Sequence, residues 1–80
     1  MTLFDKLHFL RFIAIKQQVD SEKVAKELKM DAKAASIRLL RYHRQGLLRR
    51  VQVNPKGKRV YILSQRGRER LIFLARNRNR

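Results

Sequence analysis

Few side chains in this 80-residue sequence can carry covalent or acid–base chemistry, and their spacing does not assemble them. His8 and His43 are far apart and no acidic pair frames either, so neither a metal site nor an acid–base pair is expected of them. Ser21, Ser36 and Ser64 lack the base and orienting acid of a nucleophile arrangement. Gly46, Gly57 and Gly67 are too dispersed to cradle a phosphate, and suit a helix end, a turn and a helix start instead. Of the six acids, Asp20, Glu22 and Asp31 suit helix starts, which leaves Asp5, Glu27 and Glu69 scattered. Without cysteine there is neither a disulfide nor a thiolate zinc site. No enzyme activity, metal, cofactor or small-molecule ligand is expected.

The chemistry that remains is the binding of anions. Twenty-one Lys and Arg stand against six Asp and Glu, a formal charge of +15 on a chain that is 44% hydrophobic. A disordered polycation would hold fewer apolar residues. Residues 1–40 carry eight basic and five acidic side chains; residues 41–80 carry thirteen and one, so a polyanion is expected on the second half. Thirteen of the basic residues are Arg, whose planar fork suits phosphates and base edges. Nucleic acid is the partner this charge fits. The longest apolar run, Leu71 to Ala75, is far too short to cross a bilayer, and the N-terminus lacks a signal-peptide pattern. A soluble protein of the cytoplasm, nucleoid-associated or in the host cytoplasm if viral, is expected; the composition suits an archaeal, viral or plasmid source.

The elements that must position those charges follow from periodicity. Leu3, Leu7, Leu10 and Ala14 share one stripe, widened by Phe9, Phe12 and Ile13, which predicts a helix over 3–17. So much apolar surface fits either a central helix packed on two sides or one packed partly against another subunit. Asp20 or Ser21 can cap a short helix over 21–29 with Val24, Ala25 and Leu28 on its apolar face. Asp31 can open a helix over 32–45 that Gly46 ends in the left-handed conformation. The period then changes. Val51 and Val53 alternate with Arg50 and Gln52, Asn54-Pro55-Lys56-Gly57 is a turn signal, and Val60 to Leu63 resumes, predicting a hairpin over 48–63. Ser64 can cap a last helix over 65–76. One small domain spans 1–80, and at this length a partner subunit is the expected supplement to a thin core.

This order of elements resembles a winged helix-turn-helix domain, and particular residues extend the likeness. Ala25 sits where the second helix needs a small residue, and Leu28 and Met30 flank the turn. Leu39, Tyr42, Gly46 and Leu47 match the spacing L-x-x-L-x-x-x-G-L that ends the DNA-reading helix, with Tyr42 replacing the usual Leu. Tyr61-Ile62-Leu63-Ser64-Gln65-Arg66-Gly67 is similar to the Y-x-L-T-x-x-G signature that closes the wing in MarR-, PadR- and ArsR-like regulators. The resemblance implies an α+β, mostly α fold: a three-helix core, a two-stranded β-hairpin wing and a C-terminal helix.

On a helical wheel Ala35, Leu39 and Tyr42 form the inner edge of the third helix, and Lys33, Ile37, Leu40 and Arg44 lie opposite, with Ser36 and Arg41 at the margins. The resemblance implies that this outer face enters the major groove, where Lys, Arg and Ser bond base edges. Ile37 and Leu40 either touch thymine methyls or belong to a core or interface. Arg49, Arg50, Lys56, Lys58 and Arg59 supply the hairpin with charge for a minor groove or backbone. Leu3, Phe4, Leu7, Leu71, Ile72 and Leu74 are expected at a dimer interface between first and last helices. The expected function is a sequence-specific, double-stranded-DNA-binding transcriptional regulator, a homodimer acting by operator occupancy. The rivals are a winged-helix RNA-binding or ribosome-associated protein, a sequence-indifferent architectural DNA binder and, less suited to this charge, a protein–protein adaptor.

Overall fold

The computed structural model describes residues 6–77. It is a small α+β molecule, mostly helical, with the order α1 (Lys6–Lys16), α2 (Ser21–Glu27), α3 (Ala32–Arg44), β1 (Leu48–Val53), β2 (Arg59–Leu63) and α4 (Gln65–Asn77). Leu3 and Phe4, expected at a dimer interface, lie outside the described residues.

Local chemistry sets each boundary. Gln17 ends α1 by taking a left-handed φ of 73°. Asp20 caps α2 by accepting from the Lys23 amide at 2.7 Å. Lys29 adopts φ 53° and the Met30 amide reaches back to the Ala25 carbonyl, so α2 stops two residues before the expected boundary. Gly46 at φ 81°, with Leu47 N–H donating to the Tyr42 carbonyl, closes α3 by the same device. Asp31 occupies the N-cap position of α3, but its carboxylate makes no capping bond. Ser64 caps α4: its hydroxyl accepts from the Gly67 amide at 2.9 Å and donates to the Gly46 carbonyl at 2.6 Å.

Phe9, Leu10 and Ile13 of α1 form the centre of one core with Val24, Leu28, Ala35, Leu39 and Tyr42. Phe9 meets Tyr42 edge to face at 5.2 Å between centroids, a geometry that adds about 1 kcal/mol to simple burial. β1 and β2 pair antiparallel, and their base closes the core with Leu47, Leu48, Tyr61 and Leu63. β2 is held on its other edge as well: the Val19 and Tyr61 amides exchange backbone hydrogen bonds of 3.0 and 2.8 Å, which joins the α1–α2 connection to the hairpin. Gly67 lets α4 approach the α3–β1 connection closely, since a Cβ there would overlap the Leu47 carbonyl oxygen and sit 3.1 Å from Leu63 Cδ2.

The alternation read along β1 does not mark a buried face. A bulge at Val51 shifts the register between Arg50 and Gln52, and Val51 and Val53 are both exposed. The dimer expectations also change. Leu7 is buried, and Leu71 and Leu74 pack on this chain's own core, so those three are engaged within the protomer. Ile72 is 57% exposed. Among the described residues no helix is long and apolar enough to cross a membrane.

Candidate nucleic-acid interface

α3 buries Ala35, Leu39 and Tyr42 and turns its other face outward. Lys33, Ser36, Arg41 and Arg44 are exposed, and Ile37 is 50% exposed. Leu40 is half-buried. Neither Ile37 nor Leu40 joins the core cluster, so both remain on the outward face of the helix.

The hairpin folds toward one margin of that face. Ser36 and Leu40 of α3, Ser21 of α2, and Gly57, Lys58 and Arg59 of the hairpin line one cleft of about 280 Å³, floored by Leu39 and Tyr61. At the other margin, Ile37 and Arg41 border a shallower depression with Met30, Ala34 and Arg38. Arg59 lies two residues from buried Tyr61, so strand alternation puts it on the same side of β2. Ser36 and Leu40 are thereby brought together with Lys58 and Arg59, which lie 18 to 23 positions further along the chain.

Arg50 joins this side through histidine. His43 Nδ1–H donates to the Leu48 carbonyl at 3.1 Å, and its Nε2 accepts from Arg50 Nη2 at 3.4 Å. The imidazole also meets the Tyr61 ring edge on, at 5.8 Å. His43 therefore positions a guanidinium; the sequence signal was a histidine at the C-terminal end of a basic helix, and it pointed to no such partner.

Two hairpin cations are directed elsewhere. Arg49 pairs in register with Ile62, one residue out of phase with Arg50 and Tyr61, so it occupies the opposite face of the hairpin. Ile62 lines the groove between α1 and α4. Lys56 Nζ lies 3.2 Å from Glu22 Oε1, so the hairpin tip, which shows only positive charge in sequence, takes a counter-charge from α2. Asp20 Oδ2 accepts from Asn54 Nδ2 at 2.7 Å, and Asn54 Oδ1 accepts the amides of Lys56 and Lys58. Of these two acids, Glu22 is thus ion-paired with Lys56 and Asp20 is hydrogen-bonded to neutral amides. Among the described residues no carboxylate pairs with Lys33, Arg41, Arg44, Lys58 or Arg59.

The arrangement presents cations, a serine hydroxyl and Leu40 around one cleft, with Ile37 at the neighbouring depression. Such a surface can bind phosphates, donate to base edges and touch a methyl group. Among the described residues no cluster of His, Asp and Glu is placed to hold a metal ion. Compared with protein-family models, curated proteins and solved structures, the chain matches none.

Proposed function

We propose that the chain is a winged helix-turn-helix protein that binds duplex DNA, with α3 as reading helix and the β1–β2 hairpin as wing. The observation that carries the reading is the cleft in which Ser36 and Leu40 face Lys58 and Arg59. A helix entering a major groove there brings the hairpin cations to the adjoining backbone. Lys33, Arg41 and Arg44 would donate to guanine or phosphate, Ser36 to either, and Ile37 and Leu40 would meet thymine methyls. Arg50, Lys58 and Arg59 would hold phosphates; Lys56 and Arg49 contribute less, one being paired and the other facing away.

The biological role in this reading is transcriptional regulation by operator occupancy, with a homodimer placing two reading helices about 34–36 Å apart. Ile15 and Ile72, exposed on α1 and α4, are the residues on which the dimer rests.

Fluorescence anisotropy with a labelled DNA duplex, the matching RNA duplex and random-sequence DNA competitor, across a salt series, tests the proposal. DNA binding that survives about 150 mM salt and excess competitor supports a sequence-reading regulator. Preference for the RNA duplex overturns it in favour of an RNA-binding protein. Binding to both polymers that collapses equally with salt reduces it to a sequence-indifferent polycation.

A further inference from the structure

The cations of α4 stand outside the cleft just described. Arg66, Arg68, Arg70 and Arg76 share this helix with a single acid, Glu69. Gly67 and Leu71 lie on its inner side, and Leu74 packs there too. Phe73 projects away from them and is 56% exposed. It lines a cleft of about 290 Å³ with Arg66, Glu69 and Arg70. The Arg70 guanidinium carbon is 5.9 Å from the Phe73 ring centroid. Arg66 reaches the end of α3, since a side chain at Gly46 would meet its Cδ at 3.4 Å. Among the described residues no carboxylate forms an ion pair with Arg66 or Arg70.

An exposed aromatic ring with one guanidinium beside it and a second further along the same side of the helix suits a nucleotide: a base stacks on the ring while its phosphates meet the cations. Glu69 adds an acceptor for a base amino group, its Oε2 otherwise held only by Gln65 Nε2 at 3.5 Å. A base within a duplex has both faces covered by its neighbours and cannot stack on Phe73. A second protomer seated on the Phe73 side of α4 would bring Arg66 and Arg70 of the two copies together, which counts against it as the occupant of this cleft, apart from the Ile72 side. We propose that Arg66, Arg70 and Phe73 bind unpaired nucleotides of a single-stranded nucleic acid, on a surface separate from the α3–hairpin face.

The test uses a labelled twelve-nucleotide oligothymidylate and a blunt DNA duplex of the same length, titrated in parallel. Phe73→Ala is expected to weaken oligothymidylate binding about tenfold and leave the duplex unchanged. Phe73→Tyr restores it, because a second aromatic ring keeps the stacking face. The chain has no tryptophan, so Phe73→Trp gives a single indole whose emission is expected to be quenched by the oligonucleotide and not by the duplex. Lys58→Ala with Arg59→Ala is expected to weaken the duplex while sparing the indole quenching, so failure of the duplex reading and failure of this one are separable. Equal weakening of both ligands by Phe73→Ala, unchanged oligothymidylate binding, or its conversion of a sedimenting dimer to monomers would each overturn the proposal. So would binding to anionic phospholipid vesicles that Phe73→Ala abolishes while the oligonucleotide signal stays. Phe73 is on the surface, and a thermal melt of each variant confirms that the fold is retained.

Discussion

Asn54 at the hairpin tip donates its side-chain amide to the Asp20 carboxylate across 2.7 Å, joining residues 34 positions apart. The same carboxylate caps α2 through the Lys23 amide, while Asn54 Oδ1 holds the turn amides of Lys56 and Lys58. One hydrogen-bonded pair thus fixes both the start of a helix and the shape of a turn.

Asp20→Ala removes the cap and leaves Asn54 without its acceptor, so a loss of about 2 kcal/mol is expected. Asn54→Ala frees two turn amides and is expected to cost a similar amount. Because the two residues share one bond, the double variant is expected to fall short of the sum by about 1 kcal/mol, measured by urea denaturation.

Gly67→Ala pits two effects against each other. Alanine favours a helix over glycine by about 1 kcal/mol, but here its Cβ meets the Leu47 carbonyl oxygen, a backbone atom unable to swing aside. The clash wins, and a net loss of about 2 kcal/mol is expected, equivalent to roughly 10 °C in Tm. Gly57→Ala meets open space and suffers only from its φ of 81°, costing about 1 kcal/mol. Thermal melts that place Gly57→Ala below Gly67→Ala would refute this ranking.

Hairpin cations of equal formal charge are expected to count unequally. Lys58→Ala and Arg59→Ala should each weaken all duplexes alike and lower the slope of log affinity against log salt by about one unit. Lys56→Ala, already paired with Glu22, should lower it by well under one unit. Lys33→Ala and Ser36→Ala should instead relax sequence preference, read by competition between related duplexes.

Neighbouring residues of α4 are expected to separate assembly from folding. Ile72→Asp places a charge on the exposed side and should yield folded monomers in sedimentation velocity. Leu71→Asp buries that charge against the core and should unfold the protomer, with loss of its helical circular dichroism.

The element order was legible because each boundary carries its own local chemistry: a capping Asp20 and Ser64, a left-handed Gly46, a turn at Asn54 to Gly57. The buried edge of α3 was legible for the same kind of reason, since Ala35, Leu39 and Tyr42 recur with the helical period. Long-range partners were not. Nothing adjacent to Lys56 shows that Glu22 will meet it, and nothing adjacent to Gly67 shows that Leu47 will crowd it. The alternation in β1 misled strand reading, because the strand beyond Leu48 runs out past the core and leaves valines and polar residues alike exposed, with a bulge at Val51. An apolar run such as Leu71 to Ala75 likewise does not say which member turns outward, and Phe73 does.

The bridge between Val19 and Tyr61 governs when this molecule can acquire its shape. α2 has seven residues, below the length at which a helix persists alone, and both its entry strand and its cap are tied to residues beyond 53. The start of α2 therefore gains its long-range partners only when residues up to Tyr61 are in place. A chain truncated within residues 54–58 would lack Tyr61 as the partner of Val19 and is expected to be less stable than the whole chain.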